Sequence, residues 1–161
     1  MKKVLLALAS GLVFTAAQAA DYGIVDVEKV VQGSTYLKQQ QSSLQQSIKS
    51  QTTQIEQLQK DLAGIQQKGS TAKTQAEIDK LKEQFEAKAA QLNSLQQQVQ
   101  SKVQATMQAT NTTFETRVKT AAEQLRKENN LNLVLNKNSV LASDASADLT
   151  DKIIQKVNAI K

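Results

Sequence analysis

Apolar positions along the chain change period repeatedly, and each change predicts a different element. Residues 22–27, YGIVDV, place Ile24, Val25 and Val27 in a short β-like run. A helical turn, EKVVQ, is expected next, punctuated by Gly33-Ser34. From Ser34, a residue type suited to helix capping, a heptad can be counted. Leu37, Leu44, Leu58 and Ile65 fall at d, and Ile48, Ile55 and Leu62 at a. Gln41 at a and Gln51 at d interrupt that seam. The pattern stops at QQKG, where Gly69 is expected to close the helix in the left-handed conformation. Thr74 and Glu77 then form a capping-box signature for a second helix.

The return helix continues the heptad through Ile78, Leu81, Phe85, Leu92, Leu95 and Val99. Val103, Met107, Phe114, Val118 and Leu125 follow at altered spacing, as in a stutter that locally unwinds a supercoil. At 1.5 Å per residue, the outgoing helix (34–66) would span about 50 Å and the return helix (74–128) about 80 Å. The lower third of the return helix therefore needs another surface, either the EKVVQ turn or a second subunit. A floppy joint between independent helices is the alternative to a hairpin with its tip near residues 67–73. Beyond the helices, LNLVL (131–135), the turn Asn136-Lys137-Asn138-Ser139 and Val140-Leu141 predict a β-hairpin. Asp148 and Asp151 precede a final amphipathic helix with Ile153, Ile154, Val157 and Ile160 on one stripe.

Composition narrows the functions available. The chain has 161 residues, no Cys, no His, no Pro and 3% aromatic residues. Disulfides, thiolate nucleophiles, most zinc sites and the commonest general base are thereby removed, and no cofactor is called for. Lys2, Lys3, the run VLLALASGLVF and Ala17-Gln18-Ala19 resemble a signal peptide over residues 1–19, cleaved after Ala19. A membrane anchor is the alternative, but the apolar run is short for a span of about 30 Å. Without Lys2 and Lys3 the formal charge falls from +5 to +3. That mild excess suits weak attraction to acidic chains or anionic lipid, and gives no footing for nucleic acid.

Candidate chemistry is sparse. Asp79, Glu83 and Glu86 pair along one helix among Lys80, Lys82 and Lys88, which reads as solvated charge rather than an acid–base site. Asp144, Asp148 and Asp151 lack the spacing of a Ca²⁺ loop. Asn111-Thr112-Thr113 matches a glycosylation triplet, but its mid-helix setting favours chance. Nothing supports an enzyme. Lys60, Lys68, Lys73, Lys80, Lys82 and Lys88 cluster towards the hairpin tip. They are either a solvated face or an attractor for acidic clients and anionic membrane. Ile24, Val25, Val27, Leu131, Leu133, Leu135 and Val140 are candidates for self-association, because so small a body is poorly supplied for a core of its own.

The order of elements, with YGIVDVEKVVQ near the start and NNLNLVLNKNSVLASDASADLTDKIIQKV at the end, resembles the Skp/OmpH family of periplasmic chaperones. ADLTDKII looks like the family's segment before the last helix, whereas the long hairpin is nonspecific. The resemblance implies a mainly α fold with a small β body: a long antiparallel helical hairpin, a coiled-coil arm, projecting from a β-rich trimerisation domain. Residues 20–33 and 129–161 would form the body and residues 34–128 the arm. It further implies a homotrimer that holds unfolded outer-membrane β-barrel proteins in a cavity between its arms, without ATP. The chain departs from the family in its Gln-rich arms and in having only Arg117 and Arg126 as arginines. Rival readings are a coiled-coil envelope spacer, which calls for e/g charge pairing, and a membrane-surface-binding protein, which calls for a broader apolar face.

Overall fold

The computed structural model describes residues 21–160, so the predicted signal segment lies outside the described residues. Strand β1, Tyr22–Val25, is followed by helix α1, Val27–Gly33. Val27 opens this helix and does not extend the strand. The Asp26 carboxylate accepts from the Lys29 backbone N–H at 3.1 Å, capping the helix one residue earlier than the apolar run suggested. A single extended residue, Ser34, then joins α1 to helix α2, Thr35–Gly69. Its hydroxyl accepts from Leu37 N–H at 3.2 Å and caps α2 as expected.

Helix α3, Gln75–Glu128, starts in a complete capping box: Thr74 Oγ1 accepts from Glu77 N–H, and the Glu77 carboxylate accepts from Thr74 N–H. The turn before it departs from expectation. Gly69 is not left-handed; it stays in α2, and the Ser70 and Thr71 hydroxyls donate to the Gln67 and Lys68 carbonyls at 2.7 and 3.0 Å. With those carbonyls satisfied by side chains, a left-handed glycine is not required. The left-handed exit lies instead at the foot of α3, at Asn130 (φ 53°). There Leu131 N–H donates to Arg126 C=O at 2.8 Å and Asn130 N–H to Lys127 C=O at 3.3 Å, a Schellman ending.

Helices α2 and α3 run antiparallel. Lys102 Nζ reaches the Ser47 carbonyl at 2.9 Å, and Lys88 Nζ meets Asp61 Oδ2 at 2.6 Å. Leu58 is the only buried residue of α2. Below the end of this pairing, α3 packs on the final helix α4, Thr150–Ala159. Phe114, Ala121 and Leu125 of α3 join Val25, Val30, Leu149, Ile153 and Val157 in the core. The lower third of α3 thus finds its surface within the chain.

The predicted β-hairpin at residues 131–141 is corrected. Strand β2, Leu133–Asn136, pairs in parallel with β1, in the register Tyr22↔Leu133 to Val25↔Asn136. A parallel pair needs a long crossover, which α1, α2 and α3 supply. The Asn136 side chain accepts from Asn138 N–H at 3.1 Å and starts a 3₁₀ turn, Lys137–Ser139, that carries the chain away before Val140 can pair back. The other edge of β1 is met by Asp148, and Leu149 N–H donates to Ile24 C=O at 2.8 Å. β1 is therefore the centre of the small sheet, enclosed by two later segments.

Candidate functional site

Gly23, Val25 and Val134 share the inner face of the sheet, since register partners and alternate residues lie on one side. Val25 and Val134 contribute there to the core. Gly23 has no room for a side chain, because an added Cβ would lie 2.3 Å from Leu149 Cδ1. Tyr22, Ile24, Leu133 and Leu135 share the opposite face. Ile24 is covered (3% exposed), but Tyr22, Leu133 and Leu135 are about two-fifths open to solvent. Leu141 beyond β2 is fully exposed, and Val31 on α1 is also open. Among the described residues β2 pairs only with β1, so its second edge carries free backbone donors and acceptors.

The seven residues expected to mediate self-association therefore divide. Ile24 and Val25 are inside the chain, while Val27 and Leu131 are half-buried and packed on its core. Val140 is half-buried as well. Only Leu133 and Leu135 present open surface. Tyr22, Val31 and Leu141 were missed. Leu141 was legible as an apolar residue after a turn, but exposure of Tyr22 and Val31 depends on neighbours that no local pattern reveals.

At the other end of the helices the lysines also divide. Lys88 is engaged with Asp61, both about one-third exposed, and that contact, followed by a hydrogen bond from Gln57, holds the Asp61 carboxyl below its ordinary value. Lys82 reaches Glu86 at 4.0 Å across open solvent, a contact of little energy. Lys60, Lys68, Lys73 and Lys80 take part in no ion pair among the described residues. Lys68 and Lys80 line a cleft of about 410 Å³ at the tip with Thr71, Glu77 and Leu81. Glu77 is the acid in that cleft, and the Lys73 backbone N–H, then Thr74, hold its carboxyl below the ordinary value. Further apolar openings lie between the two helices, one near Ile65, Ile78 and Phe85 and one between Leu37, Leu44 and the exposed Met107.

Asp144, Asp148 and Asp79 have local partners. Asp144 accepts from Ser146 N–H and Asp148 from Thr150 N–H, each at 2.8 Å, fixing the turns before α4; the Ser146 backbone lowers the first carboxyl, and the Thr150 side chain, then its backbone N–H, the second. Asp79 accepts from the Gln75 side chain on the exposed face of α3.

The chain belongs to the OmpH-like outer membrane protein family, whose family model matches residues 21–157. It is 29% identical over 167 residues to the Skp-like protein of Chlamydia muridarum, covering 96% of this chain and 95% of that one. Its fold is similar to the crystal structure of a Caulobacter crescentus CB15 protein assigned as an OmpH-like outer membrane chaperone, with a TM-score of 0.72. That likeness covers 88% of this chain and 85% of the other at 18% identity, and it speaks for the fold alone.

Proposed function

We propose that the chain is an ATP-independent periplasmic holdase, released from its leader after Ala19, that keeps unfolded outer-membrane β-barrel proteins from aggregating. Three copies would join through their β bodies, and their helical arms would surround the client. The observation that carries this reading is the thin seam between α2 and α3: along all of α2 only Leu58 is buried, and apolar residues such as Met107 and Ile78 stay open. Such a surface offers many weak contacts and no single tight pocket. Each contact, worth a fraction of the roughly 1.5–3 kcal/mol of a fully buried apolar side chain, can be released without a nucleotide. The open strip of Tyr22, Leu133 and Leu135 beside an unpaired strand edge supports assembly through the body.

The test is aggregation of a β-barrel protein diluted from urea, followed by light scattering. The mature chain at one trimer per client is expected to suppress scattering equally with and without ATP. Full aggregation at that ratio overturns the reading. Lys60, Lys68, Lys73 and Lys80, free of ion pairs among the described residues, favour a second role in which the tips attract anionic membrane. Co-sedimentation with anionic but not neutral vesicles, abolished by salt, checks it.

A further inference from the structure

Between α1 and α2 only Ser34 leaves the helical conformation (ψ 113°), so the direction in which α2 departs depends on one elbow. That elbow is gripped from both sides by Asn158 of α4. Asn158 Oδ1 accepts from Thr35 N–H at 2.9 Å and from the Thr35 hydroxyl at 3.0 Å. Its Nδ2 donates to the Gly33 carbonyl at 3.1 Å. The amide therefore serves a donor after the bend and an acceptor before it, with both ends of one planar group. Ser34 itself is 1% exposed, and a Cβ on Gly33 would press on Ile154 of α4 at 3.0 Å. A neighbouring contact ties in α3: the Arg117 guanidinium lies 4.1 Å from the Tyr36 ring centroid and donates to the Ile160 carbonyl.

We propose that Asn158, with Arg117 and Tyr36, is a clamp by which the C-terminal helix sets the angle of the α2–α3 pair to the body. Bending of the pair then begins only above the clamp, at the groove of about 320 Å³ between Leu37, Gln41 and Leu44 of α2 and Met107 of α3. The root of α2 is thus held by the last turn of α4, beside the foot of α3 that is already packed in the core. This holds whether or not the chain retains clients.

Hydrogen exchange on the mature chain tests the clamp directly. In Asn158→Leu, exchange of the Thr35 amide is expected to rise about tenfold, the scale of a local hydrogen bond, while amides near Leu58 keep their protection. Asn158→Asp, which keeps the acceptor and loses the donor to Gly33, should fall between Leu and the parent. The absence of cysteine allows a label pair at Lys152→Cys and Gln97→Cys, read by pulsed spin resonance in samples diluted with unlabelled chain. The distance distribution should broaden in Asn158→Leu and, as a variant that keeps charge and helix, in Arg117→Lys. An unchanged distribution in both, or an exchange rise spread evenly along the chain, overturns the proposal. Aggregation suppression measured on the same samples separates failure of the clamp from failure of the holdase reading.

Discussion

Two glycines carry opposite consequences for the same added methyl group. At Gly23 a Cβ would meet Leu149 Cδ1 at 2.3 Å and Leu131 Cδ1 at 3.1 Å, inside the packed layer beneath the sheet. Gly23→Ala is expected to lower stability by about 1–3 kcal/mol through overpacking, read as a shift in the urea midpoint. Gly64, inside α2, has nothing within 4 Å of the same position. Gly64→Ala should raise stability by about 0.8–1.0 kcal/mol, the difference in helix propensity. Sequence could not tell these glycines apart, because Leu131 and Leu149 reach Gly23 only after the whole helical excursion. Thr74 is the contrasting case. Its capping box is legible because every donor and acceptor lies within a few residues, and those local rules hold in the structure. The Ser34 cap was legible for the same reason, whereas the grip of Asn158 on its two neighbours was not.

At the scale of elements, periodicity located the segments but not the partners of the shortest ones. Alternation in LNLVL predicted a strand, and β2 is a strand, yet its partner is β1 and the pairing is parallel. A short strand carries no address, and only the two edges of β1, both left open by its own segment, decide the pairing. Of the two glutamines expected to interrupt the seam, Gln51 is half-buried and Gln41 is exposed. Gln41 lines the groove opposite Met107, and replacing it by Leu should fill part of that space and slow hydrogen exchange of the flanking α2 amides. Asp61 gives the same helix pair an acid sensitivity. Its carboxyl is held below the ordinary 3.8, chiefly by the hydrogen bond from Lys88. A depressed acid stabilises the fold fully above the unfolded value, and that stabilisation disappears as pH falls through the folded value. Melting of the α2–α3 pair should therefore steepen with acid below about pH 4, and Asp61→Asn should remove that component. A variant with the same acid slope as the parent would show that the ion pair is spent on solvent screening.

For the whole molecule the decisive question is whether one copy is enough, and the surface offers a direct way to ask. The single chain closes a core of its own around Ile153, Val30 and Val157, so burial alone does not demand a partner. What remains unsatisfied is narrower: Leu133 and Leu135 on one face of β2, Tyr22 in register beside them, and a free strand edge. Charge on that face should therefore prevent association without unfolding the chain. If three copies join as proposed, sedimentation of Leu133→Lys with Leu135→Lys is expected to move from a trimer to a single copy at every concentration, with helical circular dichroism retained. The arms, unaltered in sequence, would then have no enclosed space, and suppression of barrel-protein aggregation should fall with the mass. If the charged variant kept its trimeric mass, the contact would lie elsewhere on the body, with fully exposed Leu141 the next position to alter. If it became a single copy yet still prevented aggregation stoichiometrically, holding would belong to the separate arm, and enclosure would not be its physical basis.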